Sequence, residues 1–165
     1  MYNIEEAVIF LKKSGVTFGK IEFIIDRSDD DFLEKYGMPQ LNSVFIIEDL
    51  LFYDIRKIKF INGHYLNIGN DGLGDICIDI SNDKLVSIDQ FSKQCYINQS
   101  LSDFIYCLYL YKKTFIDVSE NLNDYEEEQI FYKIKSLFDD IDPRILSSEN
   151  NWWSEVIEPL QYGMI

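Results

Sequence analysis

Apolar residues alternate with polar ones through Tyr65–Asp89, YLNIGNDGLGDICIDISNDKLVSID. Leu66 and Ile68 share one face, Ile76, Ile78 and Ile80 the next, and Val86 and Ile88 the third. Between them stand Tyr65, Asn67, Cys77, Asp79, Ser87 and Asp89. A period of two with one apolar face predicts three half-buried antiparallel strands. Gly69–Asp75, rich in residues that tolerate positive φ, joins the first two, and Ser81–Lys84 joins the last two.

Around this centre the pattern changes twice. Ile4, Ala7, Val8 and Leu11 make a helical stripe over residues 3–13, ended by Ser14 and Gly15. Ile21–Ile25 reads as a strand. Asp29–Asp31 opens a short helix through Phe32 and Leu33, closed by Gly37 and Pro39. Val44–Ile47 is a further strand, and Asp49–Tyr53 is either a turn or the continuation of one. Ile55–Ile61 follows, with Ile58 and Phe60 inward, Lys57 and Lys59 outward, and a hairpin at Asn62 and Gly63. Gln94–Asn98 is the last strand.

From there the spacing is helical. Ser100 and Asp103 resemble a capping box ahead of Leu101, Phe104, Ile105, Leu108 and Phe115. Asn123 and Glu126 open a second helix with Ile130, Ile134, Leu137 and Phe138 on its stripe, stopped by Asp142 and Pro143. Residues 151–162 form the last helix, carrying Trp153, Val156, Ile157 and Leu160, with Pro159 kinking or fraying it. Strands followed by helices predict an α+β fold: an antiparallel sheet of about five to six strands with helices packed on one face. No repeat or linker divides the chain, so 1–165 reads as a single domain, least defined over 1–41.

Charge narrows the partners. The 165 residues carry 29 acids against 15 Lys and Arg, a formal charge of −14, with 47% hydrophobic residues that argue for a folded globule. Such a surface repels nucleic acid and anionic membranes and attracts basic proteins. The start MYNIEEAVIF has acids where a secretory leader needs basic residues, and the apolar stretch Val44–Ile55 is cut by Glu48, Asp49 and Asp54. Cys77, Cys95 and Cys107 are odd in number and widely spaced, which fits free thiols in a reducing cytoplasm.

The central stretch also carries a family likeness. The apolar strand end before Gly69, the Asp71–Asp75 turn DGLGD, the strand Ile76–Ile80 and the strand Leu85–Asp89 resemble the SUKH superfamily. Downstream, Asn98–Phe104 resembles the entry into that family's helix, and Trp152–Ile157 its aromatic-led terminal helix. The likeness covers about residues 42–160. These proteins are mostly bacterial immunity proteins encoded beside polymorphic toxins, and the fold is shared with fungal cell-wall synthesis regulators. The resemblance implies an α+β antitoxin that neutralises a cognate toxin, such as a nuclease, by non-catalytic occlusion; the alternative is a regulatory scaffold for a cellular partner.

Catalytic and metal chemistry find little footing. His64 is the only histidine, and it sits in a turn, away from any nucleophile. The glycines at 69, 72 and 74 lead into a strand rather than a helix, and Asp71 and Asp75 repel phosphate, so they read as turn residues. Asp71, Asp75, Asp79 and Asp83 fail the EF-hand order. Asp75 and Asp79 share a sheet face about 13 Å apart, at ~3.3 Å per residue, too far for a glycosidase pair. No cofactor is implied.

What remains is acids and aromatics. One cluster is Asp26, Asp29, Asp30, Asp31 and Glu34; the other is Asp117, Glu120, Asp124, Glu126, Glu127 and Glu128. Helix starts favour acids, which accounts for their positions. Tyr106, Tyr109, Tyr111, Tyr125 and Tyr132 lie in the same half, either as interface aromatics or as core rim. The expected partner contacts are exposed acids and tyrosines: Asp71 and Asp75 at the central turn, and Tyr125, Glu126, Glu127 and Glu128 at the helix start.

Overall fold

The computed structural model describes residues 2–19, 30–39, 50–60, 63–115 and 123–162. The strands expected at Ile21–Ile25 and Val44–Ile47, the acids Asp26, Asp29, Asp117 and Glu120, and the side chains of Asp30, Asp31, Ile58, Phe60 and Asp124 lie outside the described set.

The helix α1 spans Ile4–Lys13. The Asn3 side chain caps it by accepting from the Glu6 N–H, and Gly15 turns the chain away at φ +92°. A two-residue strand β1 (Phe18–Gly19) pairs antiparallel with β2 (Met38–Pro39), and α2 (Asp30–Tyr36) ends at Gly37 with φ +79°. Pro39 therefore does more than end the helix segment, since it sits in a strand ladder the sequence did not suggest.

Among the described residues the main sheet is a five-stranded antiparallel meander in chain order: β3 (Leu51–Phe60), β4 (Gly63–Asn70), β5 (Gly74–Asp79), β6 (Leu85–Asp89) and β7 (Gln94–Asn98). Leu51–Tyr53 thus continues the strand rather than turning. The helices α3 (Leu101–Phe115), α4 (Asp124–Asp139) and α5 (Trp152–Gln161) follow. The last one runs past Pro159 without stopping there.

One expectation about the sheet fails. The register pairs Ile78 with Leu85 and Cys77 with Val86, and directly opposed residues share a face. Leu85, not Val86, therefore joins Leu66, Ile68, Ile76 and Ile78 in the main core. Val86 and Ile88 gather with Tyr65 and Cys77 in a second, smaller cluster. Four of the six alternate positions are buried: Tyr65, Asn67, Cys77 and Ser87 are all under a tenth exposed, while Asp79 and Asp89 are half-buried. A one-residue change of parity moves every side chain of a strand to the other face, and alternation within one strand cannot reveal its partner's parity. The buried Asn67 side chain is held by its Oδ1, which accepts from the Gly69 N–H at 3.2 Å across the bulge.

The helices pack against the core face. Trp153 is wholly buried among Phe138 (ring centroids 4.6 Å apart), Trp152 (4.8 Å) and Phe104 (6.0 Å). Its Nε1 donates to the Asn98 Oδ1 at 2.8 Å, and the Asn98 Nδ2 donates to the Cys107 Sγ at 3.5 Å. One polar chain therefore ties α5, β7 and α3 together inside an apolar core, with its members paired as burial requires.

Candidate functional site

The turns after β4 and after β6 lie at the same end of the meander, and each is held by an aspartate. Asp71 Oδ1 accepts from the Leu73 N–H at 3.0 Å and the Gly74 N–H at 2.6 Å. Its Oδ2 accepts from the Ser87 hydroxyl at 3.2 Å and the Trp152 Nε1 at 2.6 Å. Gly72 adopts φ +84°, and a Cβ on Gly74 would stand 2.8 Å from the Ile88 carbonyl oxygen. Both glycines are thus required by geometry rather than by phosphate binding. In the other turn, Asp89 Oδ1 accepts from the Phe91 and Lys93 N–H groups, both at 2.8 Å.

These staples push apolar tips into water. Leu73 and Phe91 are each 81% exposed, and Leu51, opposite Asn70 on β3, is 47% exposed. Beside them lies a groove of about 360 Å³ between the two turns and α5, lined by Asp89, Lys93, Cys95, Trp152, Glu155 and Val156, with Asp71 at its wall. Partial burial raises the Glu155 carboxyl above its ordinary pKa, Asp71 and Glu158 adding to the shift while Lys93 opposes it.

The six residues expected to bind a partner divide between two places. Asp71 is committed to the turn and to Trp152, so it is no free surface acid. Asp75 accepts from the Asn70 Nδ2 at 3.4 Å and is half-buried. At the α4 start, Asn123 and Glu126 form a reciprocal capping box: Glu126 N–H donates to the Asn123 Oδ1 at 3.1 Å, and Asn123 N–H to the Glu126 Oε2 at 3.0 Å. Tyr125 is 68% exposed and Glu128 is exposed, but Glu127 is 2% exposed. The expectation that Glu127 stands in solvent is therefore corrected. It lies on the helix face turned to the core, seven residues or about two turns before Ile134, which with Phe138 marks the buried stripe, and position within the turn of ~3.6 residues decides burial. Of the interleaved tyrosines, Tyr109 and Tyr111 are core, whereas Tyr125 and Tyr132 are exposed.

Leu51, Leu73, Phe91, Asp89 and Glu155 were not singled out by sequence. The usable signal was an apolar residue in the middle of a turn, Gly72-Leu73-Gly74 and Gln90-Phe91-Ser92, where turn chemistry alone asks for polar residues.

Other polar contacts are internal fastenings. Tyr2 donates to Asp103, and the Ser100 Oγ accepts from the Asp103 N–H at 3.1 Å, as a helix cap does. Buried Asp142 accepts from Tyr96 at 2.5 Å and from Arg144 Nε at 2.7 Å. The three cysteines are free; burial pushes the Cys77 thiol up to about 12 and Cys95 up to about 11, away from thiolate chemistry at neutral pH. His64 is exposed at the start of β4, as expected of a turn residue. Asp71 and Asp75 lie at one end of the sheet and Asp79 and Asp83 at the other, so the four do not converge. Among the described residues no group of three or more His, Cys, Asp or Glu is placed to hold a metal ion, and no helix is long and apolar enough to cross a membrane.

Residues 23–159 match the family model described as SUKH-4 immunity protein. No curated protein and no solved structure matches the chain.

Proposed function

The chain belongs to the SUKH-4 immunity protein family, and from that premise we propose that it binds a cognate polymorphic toxin domain in the cytoplasm and neutralises it by occlusion, without catalysis. The family match carries this reading. The charge of −14 supports a basic partner, such as a nuclease domain whose cleft is built to hold phosphates. An acidic inhibitor would then associate fast at low salt and more slowly as salt screens the attraction. Of the two contact regions the sequence offers, the turn that Asp71 and Asp75 shape is the one carried into the proposal; at the α4 start Tyr125, Glu126 and Glu128 are exposed, but Glu127 is too buried to contribute a contact, and that region is left outside the proposed interface.

The test is co-expression. If a polymorphic toxin is encoded beside this chain's gene, its C-terminal domain is expected to arrest growth when expressed alone, and this chain to restore growth when supplied with it. Continued arrest, with both proteins present and folded, would overturn the reading and favour a regulatory scaffold serving a different cellular partner.

A further inference from the structure

We propose that the turn end of the sheet, where the tips Leu73 and Phe91 flank the groove along α5, is the face that docks the toxin, and that its occupant is a basic protein surface placing a lysine or arginine between two apolar contacts. This rests on the immunity reading and adds a location and a chemistry to it.

Of the seven prominently exposed large apolar or aromatic side chains among the described residues, Leu51, Leu73 and Phe91 stand at this one end. With strands ~4.8 Å apart, Leu73 and Phe91 are separated by about two strand spacings, roughly 10 Å, and Leu51 extends the row to roughly 17 Å. Isolated exposed apolar residues need no explanation, but a row of them rimmed by polar groups marks a contact surface.

The tips are also held still before any partner arrives. Leu73 sits between a glycine in the left-handed region and a glycine whose Cβ position is blocked by the Ile88 carbonyl, and its N–H is bound by Asp71. The Phe91 N–H is bound by Asp89. Rigid apolar anchors cost little ordering on binding, as interface hot spots require.

The charge of the groove chooses the occupant. Asp71, Asp89 and Glu155 border it against the single Lys93. Its volume of about 360 Å³ lies at the low end of the roughly 300–1,000 Å³ of ligand pockets, room for one long side chain from a protein. The repulsion that Glu155 feels from Asp71 and Glu158 would be relieved by an inserted cation. A second copy of this chain is a poor fit, since it would bring another −14 to the same surface.

The experiment is calorimetric titration of the full chain with the catalytically inactivated C-terminal domain of the adjacent toxin. Leu73→Ser with Phe91→Ser is expected to weaken binding at least thirtyfold. Glu155→Lys is expected to weaken it more than tenfold, about 1.4 kcal/mol. Tyr125→Ser with Glu128→Ser, at the α4 start, is expected to stay within threefold of wild type. The altered turn residues are already in solvent, so thermal melting within a few degrees of wild type accompanies the expected losses. Unchanged affinity in the turn variants, beside a wild type that binds, would overturn the assignment and leave the immunity reading standing. A wild type that does not bind the toxin at all would overturn both.

Discussion

The turn end of the sheet and the start of α4 hold the same kinds of residue, acids beside aromatics, yet they use them differently. At the α4 start the bonds are local: Asn123 and Glu126 serve each other's backbone three residues apart, and Tyr125 and Glu128 remain in water. At the turn end one carboxylate, Asp71, serves its own turn and also Trp152, 81 residues downstream. The acid in the first place finishes a helix. In the second it fastens a hairpin to the core and, in doing so, leaves Leu73 outside. Acidity alone did not distinguish the two; what each carboxylate is bound to does.

The largest expected effect on this comparison comes from the core that receives the fastening. Trp153→Ala removes a wholly buried ring and is expected to cost about 3–5 kcal/mol in urea unfolding. Asp71→Ala comes next, at about 2–3 kcal/mol, because it strips hydrogen bonds made by a charged acceptor and leaves the buried Trp152 N–H unpaired. If instead it costs no more than a surface change, the long-range link is not what holds the turn. At the α4 start, Asn123→Ala is expected to cost about 1 kcal/mol as a lost cap, and Glu128→Ala to stay within about 0.5 kcal/mol.

A third carboxylate sharpens the contrast through pH. Burial pushes the Asp142 pKa up, but hydrogen bonds from Arg144 and Tyr96 outweigh it and hold the group below its ordinary 3.8. A depressed native pKa gives stability that is in place above the unfolded value and lost as pH falls through the folded one. Wild type should therefore shed stability on acidification below about pH 4, and Asp142→Asn should give a flatter curve over that window in urea unfolding. Equal slopes for the two would remove Asp142 from the acid transition.

The elements themselves were largely legible. α1, β3 to β7, α3, α4 and α5 follow from period and caps, since Asn3, Ser100 and Asn123 act on neighbours within three residues. Face assignment was not legible across strands. The parity that sends Leu85 to the main core and Val86 to the smaller cluster on the other face is set by how β5 and β6 pair, which one strand's alternation does not encode. The same reason hid the candidate site. Asp71 could be read as a turn acid, but its bond to Trp152 depends on α5 returning to the sheet end. Leu73 and Phe91 are neighbours only because alternate turns of a meander fall at the same end. Glu127 was misjudged at short range: helical phase counted from Ile134 already pointed it inward.

The most direct measurement is hydrogen–deuterium exchange of the chain, free and saturated with the inactivated toxin domain. Protection on binding should appear at residues 69–75 and 89–93 and along the start of α5, with the α4 start at 123–128 exchanging as in the free chain. Protection confined to the α4 start, with both turns unchanged, would contradict the account.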